Sequence, residues 1–73
     1  MKNNELIAQV IRKGIVEADG YRYVCHDWET GTGMEHEVVR INLADLNRQY
    51  EEEGKSADEI TGWEKVVSIV ETF

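Results

Sequence analysis

Two short runs concentrate the side chains that could do chemistry: Cys25-His26-Asp27 and Glu35-His36-Glu37. Imidazole nitrogens with a carboxylate oxygen suit zinc, so His26, His36 and one of the acids are the ligands a metal would need here. A thiol beside an imidazole also raises the question of a Cys–His nucleophile. Neither possibility develops. Adjacent residues on a strand project to opposite faces, which separates Cys25 from His26. No recognised ligand spacing is present, and a nucleophile would also need an oxyanion hole. The expectation is therefore two surface histidines and a Cys25 that acts as a small buried apolar residue. No catalytic residue, no metal site and no cofactor are expected. Gly31-Thr32-Gly33 is a turn and not a phosphate loop, because it has no GK[ST] sequence and no helix after it.

Two other groups point to binding. Even-numbered positions of the segments 21–28 and 35–43 would place Arg22, Val24, His26, Trp28, His36, Val38 and Arg40 on one sheet face. Exposed Trp beside Arg and aliphatic neighbours is the usual makeup of an interface centre, which singles out Trp28, His26, Arg40 and Val38. The second group is acidic. The chain has 15 acids against 8 bases, net −7. Residues 1–41 carry −2 and residues 42–73 carry −5, densest at Glu51, Glu52, Glu53, Asp58 and Glu59. This balance excludes direct nucleic-acid binding, which needs a basic footprint. It also disfavours an anionic membrane surface. It fits a protein partner with a basic surface, of the sort a small inhibitor or regulator of a nucleic-acid-binding enzyme would occupy. Phages and mobile elements use small acidic proteins in this way. A homodimer that completes its core through an exposed strand face or edge is the alternative.

Seventy-three residues make a single domain, 1–73. Chains below ~70–80 residues usually need a disulfide, a metal, a partner or very regular local structure. The lone Cys25 has no intrachain partner and suits a reducing compartment such as the cytoplasm. The N-terminal segment lacks the pattern of a signal peptide, and no apolar run approaches the ~18 residues of a membrane span.

The elements that must position these groups follow from periodicity. Leu6, Ile7, Val10 and Ile11 form a helical stripe over 4–13, with Asn3 or Asn4 as cap and Gly14 as its stop. Asp19-Gly20 sits between two β-rich runs and predicts a type I′ hairpin, with Glu17 opposite Arg22. Segments 21–28 and 35–43 are two strands joined around Thr32. Setting Gly31 opposite Gly33 pairs Tyr21 with Leu43, Tyr23 with Ile41 and Cys25 with Val39, which collects one apolar face. Asn42 caps a second helix whose stripe runs through Leu46 and Tyr50 to Gly54. Ser56-Ala57-Asp58-Glu59 is a capping-box pattern. Val66-Val67-Ser68-Ile69-Val70 is almost wholly β-branched, so 63–73 is expected to be a strand. The predicted fold is α+β in the order α-β-β-β-α-β: a three-stranded meander plus a C-terminal strand, with both helices on one face.

Overall fold

The computed structural model describes residues 3–73. Helix α1, Asn3–Lys13, buries Leu6 and Val10 and stops at Gly14, whose φ of 87° is the left-handed value a helix end favours. The Gly14 amide closes the last turn on the Val10 carbonyl at 2.7 Å. The helix already contains Asn3 and Asn4, so neither stands before it as the expected cap.

Strands β1 (Ile15–Ala18) and β2 (Tyr21–Glu29) form the expected hairpin. Asp19 and Gly20 have φ of 54° and 81°, as a type I′ turn demands. Glu17 opposes Arg22, and the guanidinium donates to its carboxylate at 2.6 and 2.8 Å.

Strand β3 (Gly33–Asn42) pairs with β2 one residue away from the expected register. Cys25 opposes Val38, Tyr23 opposes Arg40 and Tyr21 opposes Asn42. The turn explains the difference. Gly31 and Thr32 alone form the loop, closed by the Thr30 amide on the Gly33 carbonyl at 3.0 Å, and Gly31 has φ of 91°. A glycine at the first of two loop positions is the requirement of a type II′ turn. Gly33 has a separate duty: a Cβ there would lie 1.8 Å from the Glu71 carbonyl oxygen of the neighbouring strand.

A one-residue slip turns every β3 side chain over. Val38 therefore joins Leu6, Val10 and Tyr23 under α1, with Ile7, Ile11, Val16, Tyr21, Cys25 and Val67 packed around them. Ile41 and Leu43 do not join Tyr21 and Tyr23. Ile41 is buried on the opposite face with Leu46 and Ile60, and Leu43 begins helix α2, Leu43–Glu51. The helices thus cover opposite faces of the sheet, and the expectation of one shared helical face is corrected. Asn42 caps α2 as expected, accepting from the Ala44 and Asp45 amides at 2.9 and 3.2 Å.

Within α2 the buried residue after Leu46 is Gln49, 2 % exposed, while Tyr50 faces out. The Gln49 side-chain amide donates to the Thr61 carbonyl at 2.8 Å and its oxygen accepts from the Thr61 amide at 3.0 Å. Lys55 Nζ donates to the same oxygen at 3.1 Å. This clasp holds the returning chain, including the short 3-10 turn Ala57–Glu59, against α2. Strand β4, Glu64–Thr72, then runs antiparallel to β3, with a bulge opposite Val38/Val39. The sheet order is β1-β2-β3-β4, so the fold is the expected α+β arrangement.

Candidate protein-binding surface

The register that moved Val38 also assembled a cluster that the sequence had kept apart. Asp27 opposes His36, and Cys25, two residues earlier on the same strand, shares their face. Cys25 Sγ donates to Asp27 Oδ1 at 3.1 Å, and His36 Nδ1 meets the same oxygen at 2.6 Å. His36 Nε2 lies 3.5 Å from Glu71 Oε1. The separation of Cys25 from His36 is thus corrected, and His26 stands on the other face, opposite Glu37. The donor atoms of Cys25, Asp27 and His36 all lie within 4.8 Å of one another, so these three side chains could surround a cation. Two of these atoms, Cys25 Sγ and His36 Nδ1, already hydrogen-bond to Asp27 Oδ1. Burial, with Asp27 adding, pushes the Cys25 thiol up to about 11, which leaves little thiolate at neutral pH. The hydrogen bond that His36 donates to Asp27 raises His36 above its ordinary value, and the same bond lowers Asp27. The group behaves as a cross-strand ion pair with a thiol attached. The thiol bonds the carboxylate and not the imidazole, so the Cys–His contact of an activated nucleophile is not formed.

The proposed hot-spot set divides. Val38 is fully buried in the core under α1, and Arg40 shares its face. Arg40 is held by Glu64 at 2.5 Å, sits 4.1 Å above the Tyr21 ring and donates to Tyr23 Oη at 3.3 Å. Val38 is therefore corrected from a binding position to a core one, and Arg40 moves off the Trp28 face. Trp28 and His26 remain exposed on the opposite face, beyond the cover of α2. Trp28 opposes Glu35, which in turn opposes Val70 of β4, so a row with exposed Trp28 and Val70 on either side of half-buried Glu35 crosses the sheet.

The acids divide as well. Glu53 is paired with Arg48 and with Lys55, and Arg48 also holds Asp45. Glu59 accepts from the Ser56 amide at 3.0 Å and from its hydroxyl at 2.7 Å, bonds that hold its carboxyl below the usual range. Asp58 also accepts from the Ser56 hydroxyl, at 2.9 Å. Glu51 and Glu52 project from the end of α2 with no ion pair among the described residues.

A different surface stands out, and the initial selection of binding residues did not include it. Among the described residues eight large apolar side chains are exposed, and five of them, Trp63, Val66, Ile69, Val70 and Phe73, fall within residues 63–73. These residues are β4 and its two flanking positions. β4 is also the last strand of the sheet, bonded to β3 on one side only. Its other side presents a row of backbone donors and acceptors over nine residues. The β-branched run that predicted the strand was the available signal; what it could not supply was the strand's place at the edge.

No family model, no curated protein and no solved structure matches this chain. No helix among the described residues is long and apolar enough to cross a membrane.

Proposed function

We propose that this chain is a non-enzymatic protein-binding module that docks its partner along β4. The observation that supports this reading is the coincidence of an unpaired strand edge with most of the exposed apolar surface. An edge strand takes up an extended segment through main-chain hydrogen bonds, and alternate side chains supply specificity. Trp63, Phe73 and, across the sheet, Trp28 give the surface the aromatic anchors that interface centres use. The single thiol suits work in a reducing compartment such as the cytoplasm.

A second reading, regulation of a basic partner, is carried by Glu51 and Glu52, with Asp58 and the net charge of −7 behind them. The two readings differ in where contact falls. A photoreactive residue placed at position 70, at 28 or at 51 in the native cell tests them together. Adducts at 70 that disappear in an Ile69→Lys variant support docking on β4. Adducts confined to position 51 refute it and favour the acidic helix end.

A further inference from the structure

We infer that the segment β4 accepts is β4 of a second copy of this chain, antiparallel about a two-fold axis at Ser68. This rests on the reading of β4 as the docking edge. The run Val66-Val67-Ser68-Ile69-Val70 is self-complementary about its central serine. Folded on that point against itself, Val67 meets Ile69 of the second copy and Val66 meets its Val70. Farther out the match ends at the bulge, because Lys65 shares the face of Glu37 while Glu71 shares that of His36. Each rung occurs twice, as a two-fold axis requires.

Other registers lose this match. An odd shift sets the α1 face of one copy against the α2 face of the other. Centring on Ile69 puts Val67 against Glu71 and Lys65 against Phe73. Centring on Val67 puts Lys65 against Ile69 and Glu64 against Val70. Only the Ser68 centre sets Val67 against Ile69 and keeps every charge off the apolar rungs. Cross-strand pairs of that kind are the unit of sheet stabilisation. The bulge lies at Lys65–Val66, so Val67, Ser68 and Ile69 belong to the regular part of the strand.

A further observation agrees. Beside the edge, α1 and β4 leave an apolar groove lined by Ile7, Ala8, Ile11 and Ile69. Val67 and Ile69 of a second copy would extend this face and cover the groove's open side. A chain this short, with no disulfide, gains a larger core from such pairing.

Amide exchange on the full chain, resolved by residue and followed from low micromolar to millimolar concentration beside sedimentation, tests both steps. The expected result is that outward amides of Glu64–Thr72 exchange freely in dilute solution. They become at least several-fold slower in step with the dimer fraction. Val70→Lys, at a position 59 % exposed, should keep the native circular dichroism and stay monomeric. Ser68→Cys should cross-link two chains under mild oxidation more readily than Thr72→Cys. If the amides stay open and the chain stays monomeric throughout, the second copy is refuted and β4 remains a docking edge for another protein. A dimer whose β4 amides stay open also refutes the second copy. If the amides are already protected in the dilute monomer, the edge is not free and both readings fall.

Discussion

Ile41 offers the sharpest test of the division into two cores. Its side chain is 1 % exposed and packs with Leu46 and Ile60, whereas Val10 and Val38 are packed across the sheet under α1. Native stability runs at roughly 0.05–0.15 kcal/mol per residue, so a chain of this size holds about 4–11 kcal/mol. Ile41→Ala, at ~2–5 kcal/mol, would consume much of that. Ile41→Val removes one methyl group and costs ~0.5–1.5 kcal/mol, which leaves a folded baseline. Urea unfolding of Ile41→Val, Leu46→Ala and the double variant gives a coupling between the two sites. A second cycle replaces Leu46→Ala with Val10→Ala. Contacting residues couple by ~0.5 kcal/mol or more, and independent sites add to within about 0.3–0.5 kcal/mol. The first cycle should couple and the second should add. Equal coupling in both cycles, or stronger coupling to Val10, would show one continuous core and refute the register that separates Ile41 from Tyr23.

Further outcomes follow from the clasp, the close approach and the ion pair. Gln49→Leu strands the Thr61 amide and carbonyl and should cost about 1–3 kcal/mol, with faster amide exchange over residues 55–62 as its signature. Gly33→Ala drives a Cβ into the Glu71 backbone, so β3–β4 amides near Thr72 should lose protection while the β1–β2 hairpin keeps its own. His36 is raised by Asp27, so its contribution is full below the ordinary value of 6.5 and is lost as pH rises through the higher folded value. Asp27 is lowered by His36, so its contribution is present above 3.8 and is lost as pH falls through the lower folded value. Melting temperature should therefore be highest between these limits, and Asp27→Asn should flatten that profile if the ion pair is its source.

The elements were legible wherever one residue type answers one backbone demand. Asp19-Gly20 needs φ > 0 twice, Asn42 supplies an acceptor to two free amides, and Gly14 ends α1. The β2–β3 register was not legible, for two reasons. Gly31 and Gly33 offered competing turns, and only the close approach of Glu71 to Gly33 shows that they serve different ends. Val38 and Val39 are adjacent and alike, so either register puts a valine in the core and the apolar pattern cannot choose. Everything tied to β3 was then turned over: Val38 and Arg40 left the Trp28 face, His36 left His26, and Ile41 moved to the α2 side. Trp28 and His26 kept their place because β2 itself did not turn. In α2, helical periodicity favoured Tyr50, but the Thr61 backbone needed partners, and Gln49 could provide both a donor and an acceptor. The pairing of Glu53 was hidden because it lies past the helix end and bends back to Arg48.

The acidic surface and the apolar edge make opposite demands, and salt separates their effects. A nine-residue β-branched edge without proline invites uncontrolled strand addition. Among the devices that restrain it, the bulge and the charges Glu64, Lys65 and Glu71 limit the regular apolar stretch to Val67–Val70. The remaining restraint is long-range. Two copies at −7 each repel as they approach, and a screening length of ~10 Å at 0.1 M weakens that repulsion as salt rises. Self-association through β4 should therefore tighten with added salt. Docking of Glu51 and Glu52 on a basic partner should loosen under the same change, because there the long-range force is attractive and sets the association rate. Sedimentation of the chain alone at low and high salt reads the first effect without knowledge of any partner. Lys substitution at Glu51 and Glu52 brings the net charge to −3 and should move the low-salt dimer constant toward the high-salt one without touching β4. If the dimer instead weakens with salt, charge attraction holds it together, and the apolar pairing about Ser68 is refuted as its basis.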